Sequence, residues 1–318
     1  MGNLIINEWV KVFRRTGTIV MLVILALGVL AVGAFMKYDE NQNPPGENTE
    51  WKQELEAQLI EERAAIEQTD QMNAGLKMFY EREIAIKEYR IRNDIPPQTE
   101  QNVWSFVREA QGLITFVGLF TIIIAAGIVS SEFSWGTIKL LLIRPLSRSK
   151  ILLSKYITVL LFGGLLLAII FTLSAVVGLV LFGLPTNEVP HLAFMDGEVV
   201  ERNIVLHLIV QYLLSSIDVL MVATMAFMIS AVFRNNSLAI GISLFLLLMG
   251  GTATMLLASK FEWAKYFLFA NTDLNVYFDG VPPVDGMTLS FSIVMLIVYY
   301  VVFQLLSFFV FAKRDVAA

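Results

Sequence analysis

Six apolar stretches, each near or beyond the ~20 residues that carry an α-helix across a ~30 Å hydrocarbon layer, constrain this chain more than any other feature. They occupy residues 17–36, 112–130, 156–184, 208–233, 238–258 and 289–311, and none contains a Lys or Arg. A soluble core helix of that length carries a charged face, so the runs read as membrane spans. Composition agrees, with 56% hydrophobic and 16% charged residues, the charges crowded between the runs. The expected fold is an all-α polytopic membrane protein with six transmembrane helices. A cleaved signal peptide is the competing reading of the first run, because Lys11, Arg14 and Arg15 precede it and Val32-Gly33-Ala34 has the form of a cleavage site. An apolar run of ~20 residues is long for that role.

Basic residues near span ends set orientation. With both termini in the cytoplasm of a cell-membrane protein, Lys11, Arg14, Arg15, Lys139, Arg144, Arg148, Lys150, Lys155, Arg234, Lys313 and Arg314 share one side, opposed only by Glu8, Glu132 and Asp315. The other side receives residues 37–111, with 16 acids against 9 bases, and residues 185–207, with four acids and one Arg. The net charge of -5 hides these two faces, and no nucleic-acid partner is expected. Residues 234–237 and 312–318 form the short cytoplasmic loop and tail. The absence of cysteine excludes disulfides, thiolate metal sites and cysteine nucleophiles.

Two soluble elements flank the first span. Residues 1–16 interleave Leu4, Ile5, Trp9, Val12 and Phe13 with charges, the pattern of an amphipathic helix at the inner membrane surface. In residues 37–111, Trp51, Leu55, Leu59, Glu62 and Ile66, then Leu76, Phe79, Glu83, Ile86 and Arg90, follow helical spacing around a turn at Asn73-Ala74-Gly75. A helical hairpin follows, too small to be stable unless it packs on a partner. Residues 185–207 read as a loop. Residues 259–288 concentrate Phe261, Trp263, Tyr266, Phe267, Phe269, Tyr277 and Phe278, which fits an interfacial belt or short half-helices dipping into the membrane.

Residues 131–155 are too rich in Trp, Leu and Ile for a solvated loop, and an apolar surface rimmed by bases is the kind that meets another protein. Within them, Glu132, Gly136-Thr137, Leu141-Leu142, Pro145, Ser147-Arg148, Ile151-Leu152 and Lys155 form a pattern that resembles ABC-2-type exporter permeases. The ending Phe311-Ala312-Lys313-Arg314-Asp315-Val316 is similar to the one common there, and the hairpin is an elaboration on that plan. The resemblance implies export by alternating access, with ATP and magnesium held by separate ATPase subunits, a second permease copy or paralogue, and no cofactor in this chain. It implies that Glu132, Trp135, Gly136, Lys139, Arg144, Pro145 and Arg148 meet the ATPase, and it favours re-entrant half-helices in 259–288.

The chain has no Gly-Lys dipeptide and so no Walker A loop, which leaves energy to another chain. The two histidines, His191 and His207, lack an H-E-x-x-H arrangement; no metal site is expected, and both read as extracytoplasmic or interfacial polar residues. No catalytic constellation is identifiable, so the chain itself is not expected to be an enzyme. Asp218 is the one acid inside a run, with Gln211 and Ser215 nearby. Burying it costs ~2.5 to 3.5 kcal/mol on insertion scales, so it faces the bundle interior or the transport pathway. Either it serves passage of substrate or ions, or it is a protonated structural residue bonded to a neighbouring span, for example at Thr252, Thr254 or Gln304. Gly250-Gly251-Thr252 marks close helix packing or local unwinding. A membrane sensor or scaffold that uses the hairpin, and less readily a secondary carrier, are the other function classes.

Overall fold

The computed structural model describes residues 1–44, 46, 50–68, 74–97, 100–134, 147–185, 190–195 and 197–313. It is an all-α membrane protein in which six helical segments are long and apolar enough to span: Thr16–Gln42, Val103–Phe133, Arg148–Phe182, Ile204–Phe233, Asn236–Ala258 and Leu289–Lys313. Helix α1 (Gly2–Phe13) precedes α2 (Thr16–Gln42), and α3 (Trp51–Gln68) and α4 (Ala74–Asn93) form the hairpin. The second span is α5 (Val103–Ala110), a 3-10 turn at Gln111–Leu113 and α6 (Ile114–Ser134); the third is α7 (Arg148–Phe182). Strands β1 (His191–Met195) and β2 (Glu198–Arg202) lead into α8 (Ile204–Phe233) and α9 (Asn236–Ala258). Short helices α10 (Leu268–Asn271) and α11 (Val276–Asp279) precede α12 (Leu289–Lys313).

The spans fall into two classes by their packing. The most apolar stretches of the second and fourth spans are 67% and 61% buried, against 22%, 28%, 17% and 17% for the first, third, fifth and sixth. The central pair is therefore covered by protein, whereas the outer helices turn residues such as Leu27, Leu248 and Leu305 outward. Phe106, Phe162, Leu166, Ile170 and Phe227 fill the space between spans two, three and four. Polar side chains add cross-links where an unsatisfied group is costly. Tyr156 Oη pairs with Thr224 Oγ1 at 2.8 Å, Tyr212 Oη donates to the Val107 carbonyl at 2.9 Å, and Ser230 Oγ donates to the Ala126 carbonyl at 2.5 Å.

The second span begins before residue 112. Arg108 and Glu109 interrupt the apolar run, yet α5 starts from a capping box: Asn102 Oδ1 accepts from the Trp104 and Ser105 amides, and Ser105 Oγ accepts from the Asn102 amide. Its buried face, Val103, Phe106, Val107 and Ala110, lies on α7. Gly178 makes that approach possible, since a Cβ there would lie 2.9 Å from the Phe106 ring and 3.2 Å from the Val103 backbone.

Residues 185–207, read as a loop, contain an antiparallel β-ribbon in which His191 pairs with Arg202 and Met195 with Glu198. Gly197 turns it at φ 88°, a conformation that glycine adopts without steric cost. Residues 259–288 contain a 3-10 turn at Glu262–Tyr266 and the one-turn helices α10 and α11. Ala264, Leu268 and Ala270 are buried, and Phe269 lies where any Cβ on Gly250 would stand, so that glycine serves close packing. Helices α3 and α4 pair through Leu55 and Leu59 and through the ion pairs Glu62–Lys87, Arg63–Glu88 and Lys52–Asp94. The hairpin adjoins the start of the second span, so it occupies the end of the bundle opposite Glu132.

Candidate functional site

At the Glu132 end, four charges from three helices close a buried cluster. Lys155 Nζ on α7 reaches Glu8 Oε2 on α1 at 2.7 Å and Glu132 Oε1 on α6 at 3.1 Å. Lys11 Nζ completes it at 2.9 Å from Glu8 and 3.2 Å from Glu132. The Lys155 side chain is 2% exposed, so its ammonium depends on these two carboxylates for solvation. Burial pulls the Lys11 ammonium down, but Glu8 and then Glu132 more than reverse it and raise it above the ordinary lysine value. Trp9 and Phe13 hold α1 against α7, with the Phe13 and Phe162 rings 6.2 Å apart, and Thr18 Oγ1 donates to the Val12 carbonyl at 2.6 Å.

Of the residues expected to meet a partner, Glu132 is therefore engaged inside the chain, and Arg148 Nη1 donates to the Ala312 carbonyl at the end of α12 at 3.1 Å. Trp135, Gly136, Lys139, Arg144 and Pro145 lie outside the described residues. The cluster partners Glu8, Lys11 and Lys155 were not singled out from sequence as a unit. Their only signal is a pair of opposite charges at the boundaries of apolar runs.

Gln211, Ser215 and Asp218 stand on successive turns of α8 and all face the segment leading to the last span. Gln211 Nε2 donates to Asp279 Oδ2 at 2.7 Å, Ser215 Oγ accepts from Asn275 Nδ2 at 3.0 Å and from Gln111 Nε2 at 3.2 Å, and the Asp218 carboxyl faces the Thr272 side chain. The side chain beside Asp218 is thus Thr272, which was not among the three weighed from sequence. Thr254 instead donates to its own helix at the Gly250 carbonyl. The segment is pinned from its other side, where Asn271 Oδ1 accepts from Ser292 Oγ at 2.8 Å.

At the hairpin end, a cleft of about 1190 Å³ opens between α4, the β-ribbon and the start of α8, with Arg90, Arg108, His191, Glu201, His207 and Asp279 in its wall. Arg82 on α4 reaches across to donate to the carbonyls of Phe278 at 3.1 Å and Asp279 at 2.9 Å. His191 and His207, distant in sequence, stack with ring centroids 3.7 Å apart, and His207 Nε2 lies 3.4 Å from Asp279 Oδ2. Burial first, then the neighbouring His207, pushes His191 down to about 4, so its ring is neutral at pH 7. Burial raises the Asp279 carboxyl, but His207 and then Gln211 outweigh it and hold the group below the usual carboxylate range. The two histidines share one cleft and one carboxylate partner.

A family profile described as Protein of unknown function (DUF2705) matches residues 71–317. Uncharacterized protein YhcI of Bacillus subtilis (strain 168) is 53% identical over 320 residues, which cover 100% of both chains. Uncharacterized membrane protein YdbK of the same organism is 33% identical over 222 residues, 69% of this chain and 85% of the relative. These matches overturn the resemblance to ABC-2-type permeases, since neither the family nor the relatives carry that assignment. The physical reason lies in the two charged residues that bracket the quoted pattern. Glu132 and Lys155 hold each other in the ion cluster, so packing explains their spacing without shared ancestry. A multi-pass membrane protein is what the six spans and the name of the second relative support.

Proposed function

The chain belongs to the DUF2705 family, and from that premise we propose that it is the membrane-embedded subunit of an exporter driven by ATP hydrolysis in a separate cytoplasmic subunit. The observation that carries this reading is the cluster of Glu8, Lys11, Glu132 and Lys155. It ties α1, α6 and α7 together on both sides of the basic, apolar connection between the second and third spans. A force applied to that connection is delivered to three helices as one body, and α6 belongs to the central pair of spans. Such a joint is what an external motor needs in order to act on a membrane pathway. The chain has no Gly-Lys phosphate loop of its own, which makes a separate ATPase the natural source of that force.

In this reading the cluster end and both termini are cytoplasmic, the hairpin end is extracytoplasmic, and a second copy or paralogue completes the pathway about a two-fold axis. The polar stripe Gln211, Ser215 and Asp218 lies against the segment that would move with the last span. The cleft at the hairpin end favours a second reading, a membrane receptor that holds an extracytoplasmic ligand. Purification in mild detergent followed by mass spectrometry separates the two. An exporter subunit brings down a nucleotide-binding partner, and the assembly hydrolyses ATP while the chain alone does not. Recovery of the chain with no nucleotide-binding protein overturns the exporter reading.

A further inference from the structure

The geometry points to a transition-metal site of the zinc type, built from His191, His207 and Asp279 in the wall of the hairpin-end cleft. It does not rest on the exporter reading. The three side chains come from β1, the first turn of α8 and α11, and their potential ligand atoms all lie within 4.8 Å of one another. Tetrahedral Zn²⁺ with bonds of ~2.0–2.1 Å places its ligand atoms ~3.3 Å apart. His207 Nε2 and Asp279 Oδ2 already stand at 3.4 Å. His191 is the ligand that has to adjust. Its ring is tilted 27° from that of His207 in the stack, and it turns out of the stack to bring a nitrogen lone pair toward the ion.

Two orphaned atoms support the assignment independently of that spacing. His191 Nε2 and Gln211 Oε1 both lie shielded in the cleft wall with no hydrogen-bond partner in the protein, which leaves them open to a ligand in the cleft. A cation between His191 and Asp279 satisfies the first directly, and a metal-bound water reaches the second. Asp279 is also positioned as a ligand should be. Gln211 Nε2 donates to its carboxylate at 2.7 Å and Arg82 donates to its backbone carbonyl at 2.9 Å, the outer-shell support that orients ligands. Arg90 and Arg108 line the same cleft and oppose a cation, while the Asp279 and Glu201 carboxylates offset them. Two imidazoles and one carboxylate, with a fourth position open to the cleft, form a donor set that suits zinc rather than calcium or magnesium. Binding fastens the β-ribbon, the start of the fourth span and the segment before the last span to one another.

The chain contains only these two histidines and no cysteine, so the histidine-dependent part of a metal titration of the full chain, purified in detergent without a histidine tag, reads this site. The expected result is one Zn²⁺ per chain, a higher unfolding temperature with Zn²⁺ that EDTA reverses, and a visible spectrum of tetrahedral Co²⁺ when cobalt replaces it. His191→Ala and His207→Ala should each weaken Zn²⁺ binding beyond the ~10–100-fold that loss of an outer-shell partner causes. Asp279→Asn should shift the Co²⁺ spectrum. Zn²⁺ uptake that persists unchanged in the double histidine variant overturns the site. So does a wild-type chain that shows no saturable Zn²⁺ uptake and no Co²⁺ spectrum, a measurement that needs no variant to fold.

Discussion

Lys155 shows at the residue scale how a charge becomes structural at the edge of a membrane bundle. Its ammonium is buried between Glu8 and Glu132, and with Lys11 the four groups sum to zero. Removing one member leaves an uncompensated buried charge, which typically costs ~3–5 kcal/mol, whereas neutral replacement of a pair is far milder. Lys155→Met should therefore lower the unfolding temperature markedly, and Lys155→Met combined with Glu8→Gln should recover much of the loss. Differential scanning fluorimetry on the detergent-solubilised chain measures both. Equal destabilisation by the single and double variants would show that the cluster acts by shape and not by charge balance. Sequence reasoning identified Asp218 because an acid inside an apolar run has no cheap explanation. It did not place Thr272 beside that acid, because the placement depends on how residues 268–279 fold back onto α8. Glu8 and Lys155 carried even less signal, since charges at span boundaries are ordinary.

At the scale of elements, helix α5 and the β-ribbon were the parts that hydropathy concealed. Arg108 and Glu109 end the apolar run, yet α5 is fixed by its Asn102 and Ser105 capping box and by apolar burial on α7. The capping pair is visible in the sequence, but short polar caps compete with many similar triplets. The ribbon had a cue in Asp196-Gly197, a dipeptide that favours tight hairpin turns, flanked by only five residues on each side. The joint between α5 and α7 is the element contact with the least slack. Gly178→Val places side-chain atoms into the Phe106 ring and the Val103 backbone, an overpacking that costs ~1–3 kcal/mol. Gly164 on the same helix has open space around it, so Gly164→Val is the matched control and should leave thermal stability near that of the wild type. A Gly178→Val protein as stable as the control would mean that α5 and α7 separate more readily than their packing implies.

For the whole molecule, the six-span fold was legible because hydrocarbon imposes a length and an apolarity that few soluble helices share. The division into a central pair and outer spans was not, since every run is apolar all round and periodicity cannot say which face meets protein. Sidedness rests on the distribution of Lys and Arg, a bias that acts during insertion and leaves no trace in packing. It can be tested directly because the chain is free of cysteine. Glu61 lies exposed on the hairpin and Ser149 exposed at the start of α7, near the opposite end of the bundle. If the basic end is cytoplasmic, Glu61→Cys should react with an impermeant thiol reagent in intact cells, and Ser149→Cys only after the membrane is opened. The reverse pattern would invert the molecule, move the histidine cleft to the cytoplasm, and place the ion cluster on the side where no ATP is available to a partner. Export driven through that cluster would then be untenable, because the joint and its energy source would lie on opposite sides of the membrane.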